Sequence, residues 1–157
     1  MKAATMNTLK AELQELSLDE LVSVTVRLAR FKKENKELLT YLLFEAHDNH
    51  GYIETVKKEL DELFLNMNTS NLYLCKKSLR KILRFINRYI KYTLSKVVEV
   101  ELLLYYVKKI NESGIHIAGN KALHNLYLNQ LNKIKSVILF LHEDLQYDYL
   151  KELESVE

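Results

Sequence analysis

Apolar residues recur at spacings of three and four along most of this chain, and short polar breaks cut the pattern into helix-length segments. Thr8 to Leu16 reads as a short first helix. Ser17-Leu18-Asp19-Glu20 then matches a capping box, in which the Ser17 hydroxyl accepts from a freed N–H while Glu20 reaches back. That signal opens a helix running to about Phe31, with Leu21, Val24, Val26 and Leu28 among its apolar positions. Lys32 to Lys36 reads as a charged break, and Glu37 to His47 as the next helix. Asp48-Asn49-His50-Gly51 is a turn signal, followed by a helix from Tyr52 to about Leu65. The run from Asn66 to Asn71 is the most polar break, and Thr69 or Ser70 is placed to cap the helix beyond it.

The most regular segment is Leu72 to Lys96. Leu72, Cys75, Leu79, Ile82, Ile86, Ile90 and Thr93 form one stripe, widened by Leu83 and Leu94. The stripe continues through Val97, Val100, Leu104 and Val107. One unbroken helix from Asn71 to Glu112 would be about 60 Å long. A compact domain of this length is only about 40 Å across. The pattern therefore predicts a hairpin turning near Tyr92 to Lys96, with Ser95 as cap; one long helix is the alternative the continuing heptad leaves open. Asn111 to Asn120 is the main loop of the second half. Asn120 caps a last helical region, Lys121 to about Leu153, which His142-Glu143-Asp144 is placed to interrupt.

Composition narrows the class. There is no Pro and only three Gly in 157 residues, too few turn-formers for a β-rich chain of this size. The expected fold is all-α: seven or eight helices in antiparallel hairpins, as an α-solenoid-like (HEAT-like) array or a multi-helix bundle, in a single domain spanning 1–157. The segment Glu37 to Phe44 aligns loosely with Glu99 to Tyr106, each following a helix and a short polar turn, as stacked hairpins would require. No apolar run approaches bilayer length and no signal-peptide core is present, so the expectation is a cytoplasmic protein without a membrane partner.

Charge adds the one feature that asks for a function. No acidic residue occurs between Glu62 and Glu99, where eight of the 23 basic residues lie; the rest of the chain carries 15 basic against 21 acidic residues. Lys77, Arg80, Lys81, Arg84, Arg88 and Lys91 fall within about a third of the helix circumference, opposite the apolar stripe, with Tyr73 and Tyr92 flanking them. Cations neutralise phosphates, and tyrosine can stack on exposed bases. The stretch Glu143 to Glu157 has six acids and one Lys, so the face is either open to a polyanion or covered by this tail.

Candidate chemistry elsewhere is incomplete. His47 and His50 sit three apart at a helix end, where a cation suits the carbonyl end of the dipole, and a metal needs more ligands than these two. None of the five His has Glu three positions before it, as a di-iron bundle requires. His142, Glu143 and Asp144 are adjacent on a helix and point apart. Cys75 lies on the apolar stripe, where burial makes a poor nucleophile. Gly114 to Ala122 departs from a phosphate-binding loop, because Asn120 separates Gly119 from Lys121 and Ala122 has no hydroxyl. The expectation is a non-enzymatic helical scaffold or protein-interaction module with no catalytic residue, metal or cofactor, whose partner is another protein. The alternative is binding of nucleic acid or another polyanion through the basic face of residues 72–96.

Overall fold

The computed structural model describes residues 1–156 and is all-helical. Eight α-helices occur among the described residues: α1 (Met6–Glu15), α2 (Leu18–Phe31), α3 (Lys33–Thr40), α4 (Asn49–Leu65), α5 (Leu72–Thr93), α6 (Lys96–Glu112), α7 (Lys121–Ile138) and α8 (Glu143–Glu154). A π-type turn, Tyr41–Glu45, follows α3, and a 3-10 turn, Ile117–Gly119, precedes α7. The chain forms two compact units, Met1–Phe44 and Glu45–Glu157.

In the first unit, Ser17 and Glu20 make the expected capping box: the Ser17 side chain accepts from the Glu20 N–H, and the Ser17 N–H donates to the Glu20 carboxylate at 2.9 Å. The charged break is one residue, Lys32, and not Lys32 to Lys36. Lys32 is extended at φ −142°, and helix resumes at Lys33, steadied by a Lys33–Glu37 pair of 3.5 Å. Asn35 donates to the Leu28 carbonyl at 2.8 Å across the turn, so α2 and α3 make a short helical hairpin. Its core is thin. Among the described residues of this unit only Tyr41 is buried.

The second unit is built around α6. Val98, Val100, Leu102, Leu103, Leu104, Tyr106, Val107 and Ile110 are buried on every side of that helix. A helix that is apolar all round belongs at a centre. Helices α4, α5 and α7 pack on it, and α8 is joined to it by Tyr149 and Lys108. The buried stripe of α5, namely Cys75, Leu79, Ile82, Ile86 and Ile90, is the one the spacing predicts. Tyrosine hydroxyls then tie helix to helix. Tyr106 donates to the Leu79 carbonyl at 2.9 Å, Tyr52 to the Tyr89 carbonyl at 3.0 Å, Tyr105 to Asp61 at 2.6 Å and Tyr149 to Glu101 at 2.8 Å. Each buries a ring while satisfying its polar tip, which accounts for much of the use of ten Tyr in this chain.

Two caps and one helix boundary differ from those expected. Asn71, not Thr69 or Ser70, caps α5, accepting from the Leu74 N–H at 2.9 Å. Within the Asp48–Gly51 turn signal it is Asp48 that caps α4, accepting from the Gly51 N–H at 3.0 Å, so α4 begins at Asn49 and not Tyr52. The last helical region is split slightly before the expected interruption, with α7 ending at Ile138 and α8 starting at Glu143. Asn120 caps α7 as expected.

The α5–α6 turn is a hairpin, with Ser95 accepting from the Val98 N–H at the start of α6. The chain turns on Leu94, which adopts φ 55°, ψ 7° and is 89% exposed. Leu94 therefore does not widen the apolar stripe; it occupies the left-handed position where glycine is usual. A side chain pays about 1–2 kcal/mol there, against about 0.5–1 kcal/mol for glycine's extra unfolded freedom. Leu94→Gly should raise unfolding stability by up to about 1 kcal/mol. A lowered midpoint in thermal denaturation would show that the leucine side chain holds the turn.

Candidate functional site

Helix α5 presents its cations because its opposite face is committed to the core. Lys77, Arg80, Lys81, Arg84 and Lys91 are exposed, and none of them makes an ion pair with a carboxylate among the described residues. From Lys77 to Lys91 the strip is roughly 21 Å long at the helical rise. Lysines elsewhere in the unit do find acids. Lys96 and Lys133 both reach the buried carboxylate of Glu99, at 3.0 and 3.2 Å, and Lys109 reaches Asp61 at 2.8 Å. The contrast arises from placement, since the carboxylates that pair lie on α4, α6 and α8 and α5 carries none.

Arg88 differs from its neighbours. It is half-buried, and its guanidinium lies 5.8 Å from the Phe85 ring and 5.6 Å from the Tyr89 ring. Those two rings stack at 4.4 Å. Lys81, Arg84 and Arg88 then line a cleft of about 300 Å³ together with Leu63 and Phe85. Arg80 faces a second cleft of about 360 Å³, whose other walls include Asn125, Asn129 and Gln130 of α7. Lys91 borders a third, of about 650 Å³, with Lys96, Lys133 and Glu99. The face is thus one strip of cations feeding three shallow hollows.

The two flanking tyrosines are placed differently from each other. Tyr73 is 67% exposed, with the Lys76 ammonium 5.9 Å from its ring. Tyr92 is buried, at 9%, with its ring 5.6 Å from Tyr89, so it is not available for stacking on a ligand. It sits about 70° from the centre of the cation strip, at its edge, and packing at that boundary decides which way such a residue turns. The aromatic platform next to the cations is instead Phe85 with Tyr89. The i,i+4 spacing of those two rings and the Arg88 between them were the available signal.

The acidic tail does not cover the strip among the described residues. Glu152 pairs with Lys108 of α6, and Tyr149, Leu153 and Val156 are buried. The tail is an integral helix of the unit.

The remaining candidate residues are scattered. His47 and His50 are both exposed, and His142 pairs with Asp144, at 3.6 Å. No group of three or more His, Cys, Asp or Glu is placed to hold a metal ion among the described residues. In the Gly114–Ala122 loop, the Asn120 side chain accepts from the Ala122 and Leu123 N–H groups, the donors a phosphate would need. No helix among the described residues is long and apolar enough to cross a membrane. Cys75 is buried, and burial pushes its thiol above the ordinary range. Labelling of Cys75 by an aromatic disulfide reagent should proceed only as fast as the unit opens, accelerating with denaturant. Immediate labelling in native buffer would mean that the inward face of α5 is misassigned.

Sequence reasoning missed a second surface. In Met1–Phe44, the apolar residues Leu18, Leu21, Val22, Val24, Val26, Leu28 and Phe31 of α2 are all exposed, as are Leu38, Leu42, Leu43 and Phe44. A groove of about 230 Å³ runs between α2 and α3, lined by Thr25, Leu28, Ala29, Asn35, Leu38, Leu39 and Leu42. The signal was available in α2, where apolar positions cover roughly 200° of the circumference. One neighbouring helix cannot cover that much. No family model, curated protein or solved structure matches this chain.

Proposed function

We propose that this protein is a non-enzymatic helical interaction module: the unit Glu45–Glu157 is its stable body, and the hairpin α2–α3 is the element that docks a protein partner. The observation that carries this reading is the exposed apolar face of α2 and α3. Contiguous apolar surface on that scale is uncommon on a monomer without an interaction to make. Amphipathic helices dock through rows at i, i+4 and i+7, and α2 offers such rows. The test is capture of partners by the intact chain and by a Val22→Lys/Val26→Lys variant. Loss of the captured set in the variant is expected; the same set from both chains would sink the reading.

A second reading has its own observation, the five exposed and unpaired cations of α5. On it, the strip holds the phosphates of a single-stranded nucleic acid, met by the five cations spread along its length. Phe85 and Tyr89 supply an aromatic edge beside the cleft, and Tyr73 a ring at the far end.

A further inference from the structure

The partner chemistry of the α2 face is written in its charges. Leu18, Val22 and Val26 recur every four residues and form a row along α2, and they are 76, 54 and 39% exposed. This row adjoins the strip of Thr25, Leu28 and Ala29 that faces the α3 groove, so the hairpin leaves it uncovered. Beside the row, at the same edge of the helix, lie Asp19 near the amino end and Arg30 near the carboxyl end. Neither has an ion-pair partner among the described residues, whereas Glu20 is engaged by Ser17.

We propose that the occupant of this face is α2 of a second copy of the chain, laid antiparallel; the inference rests on the reading of α2–α3 as a docking element. A two-fold axis crossing near Val24 sets Val22 against Val26 of the other copy, since the two are equidistant from residue 24. The same axis, within half a residue, sets Asp19 against Arg30 of the other copy, twice over. A parallel pair would place Asp19 on Asp19 and Arg30 on Arg30. Isologous pairing is the commonest route to a dimer, and it requires a patch complementary to itself, as this one is. Two α2–α3 hairpins joined this way make a four-helix bundle, the smallest arrangement in which each of these helices gains neighbours on both sides of its apolar face.

The experiment is sedimentation equilibrium of the full chain across the micromolar range, with circular dichroism to confirm helix content in each variant. The intact chain should dimerise. Asp19→Arg alone and Arg30→Asp alone should each weaken the dimer on the order of tenfold or more, because each puts like charges together at both ends. Mixing the two single variants in equal amounts should restore it, since both cross-pairs of the mixed dimer are then Arg against Asp. The double variant should also dimerise. A mixture that stays monomeric overturns the antiparallel pairing, and so does an intact chain that is monomeric throughout. In the latter case, binding of an anilinonaphthalene dye to the intact chain but not to Val22→Lys/Val26→Lys would leave the docking face standing and remove only the second copy. Equal dye binding by both would remove the docking face as well.

Discussion

Truncating Leu104 to alanine should lower the unfolding free energy of the unit Glu45–Glu157 by about 2–5 kcal/mol, and Leu79→Ala should cost a similar amount. The two residues are 2 and 1% exposed. They lie on α6 and α5, the central helix and the longest helix packed on it. Neither site can collapse easily. Leu104 is surrounded on α6 by buried Leu102, Leu103, Tyr106 and Val107, and the Leu79 carbonyl is held by the Tyr106 hydroxyl. A cavity at either place therefore persists and adds to the lost transfer free energy. Domains of this size are stable by only about 5–15 kcal/mol, so a loss of this size is a large fraction of the whole. Denaturant titration followed by circular dichroism measures it. A change under about half a kcal/mol at both positions would mean that α6 is not the centre.

The second large effect belongs to the α5 strip. On the polyanion reading, the intact chain should bind short single-stranded oligonucleotides with a log–log salt slope of about −3 to −5, as expected for four or five phosphate contacts. Arg80→Glu/Arg84→Glu should flatten that slope by about two and abolish binding at physiological salt. Arg80 and Arg84 are the right pair to reverse because both are exposed. Arg88 packs on Phe85 and Tyr89, so its replacement would disturb the fold as well as the charge. Ending the chain before α8 would be a poor control for the same reason, because it removes buried Tyr149 and Leu153. Fluorescence anisotropy at low and physiological salt gives the answer. No binding by the intact chain at low salt would eliminate this reading and return α5 to a solvated surface.

Much of the fold was legible in the sequence, and particular residues show why. Ser17 and Glu20 announced α2 because both halves of the capping box are local. Ser95 marked the hairpin between α5 and α6, which the length of a single helix against the width of a compact body favoured over the one long helix the heptad left open. The centre of the unit was less visible. The apolar row from Val97 to Val107 reads as a continuation of the α5 stripe, and only packing from several directions shows that α6 is buried all round. Cap positions slipped by one or two residues where several Asn, Thr, Ser and Asp compete, as at Asn66–Asn71 and Asp48–Gly51. The division after Phe44 carried no Pro, Gly or Ser signature, because a π-type turn continues the helical path through it. The cation strip was readable from spacing. The partners of its edge residues were not, since Tyr92 turns inward and Arg88 settles on rings according to their three-dimensional neighbours.

The position of α6 has a consequence at the ribosome. Helices α4 and α5 leave the exit tunnel before the helix they pack on has been made. Through the synthesis of the stretch from Leu94 to Glu112, their inward leucines and isoleucines have nothing to bury against but each other. At about 5–20 residues per second that interval lasts roughly 1–4 s. The nascent chain is therefore stickiest while α4 and α5 are out of the tunnel and α6 is not.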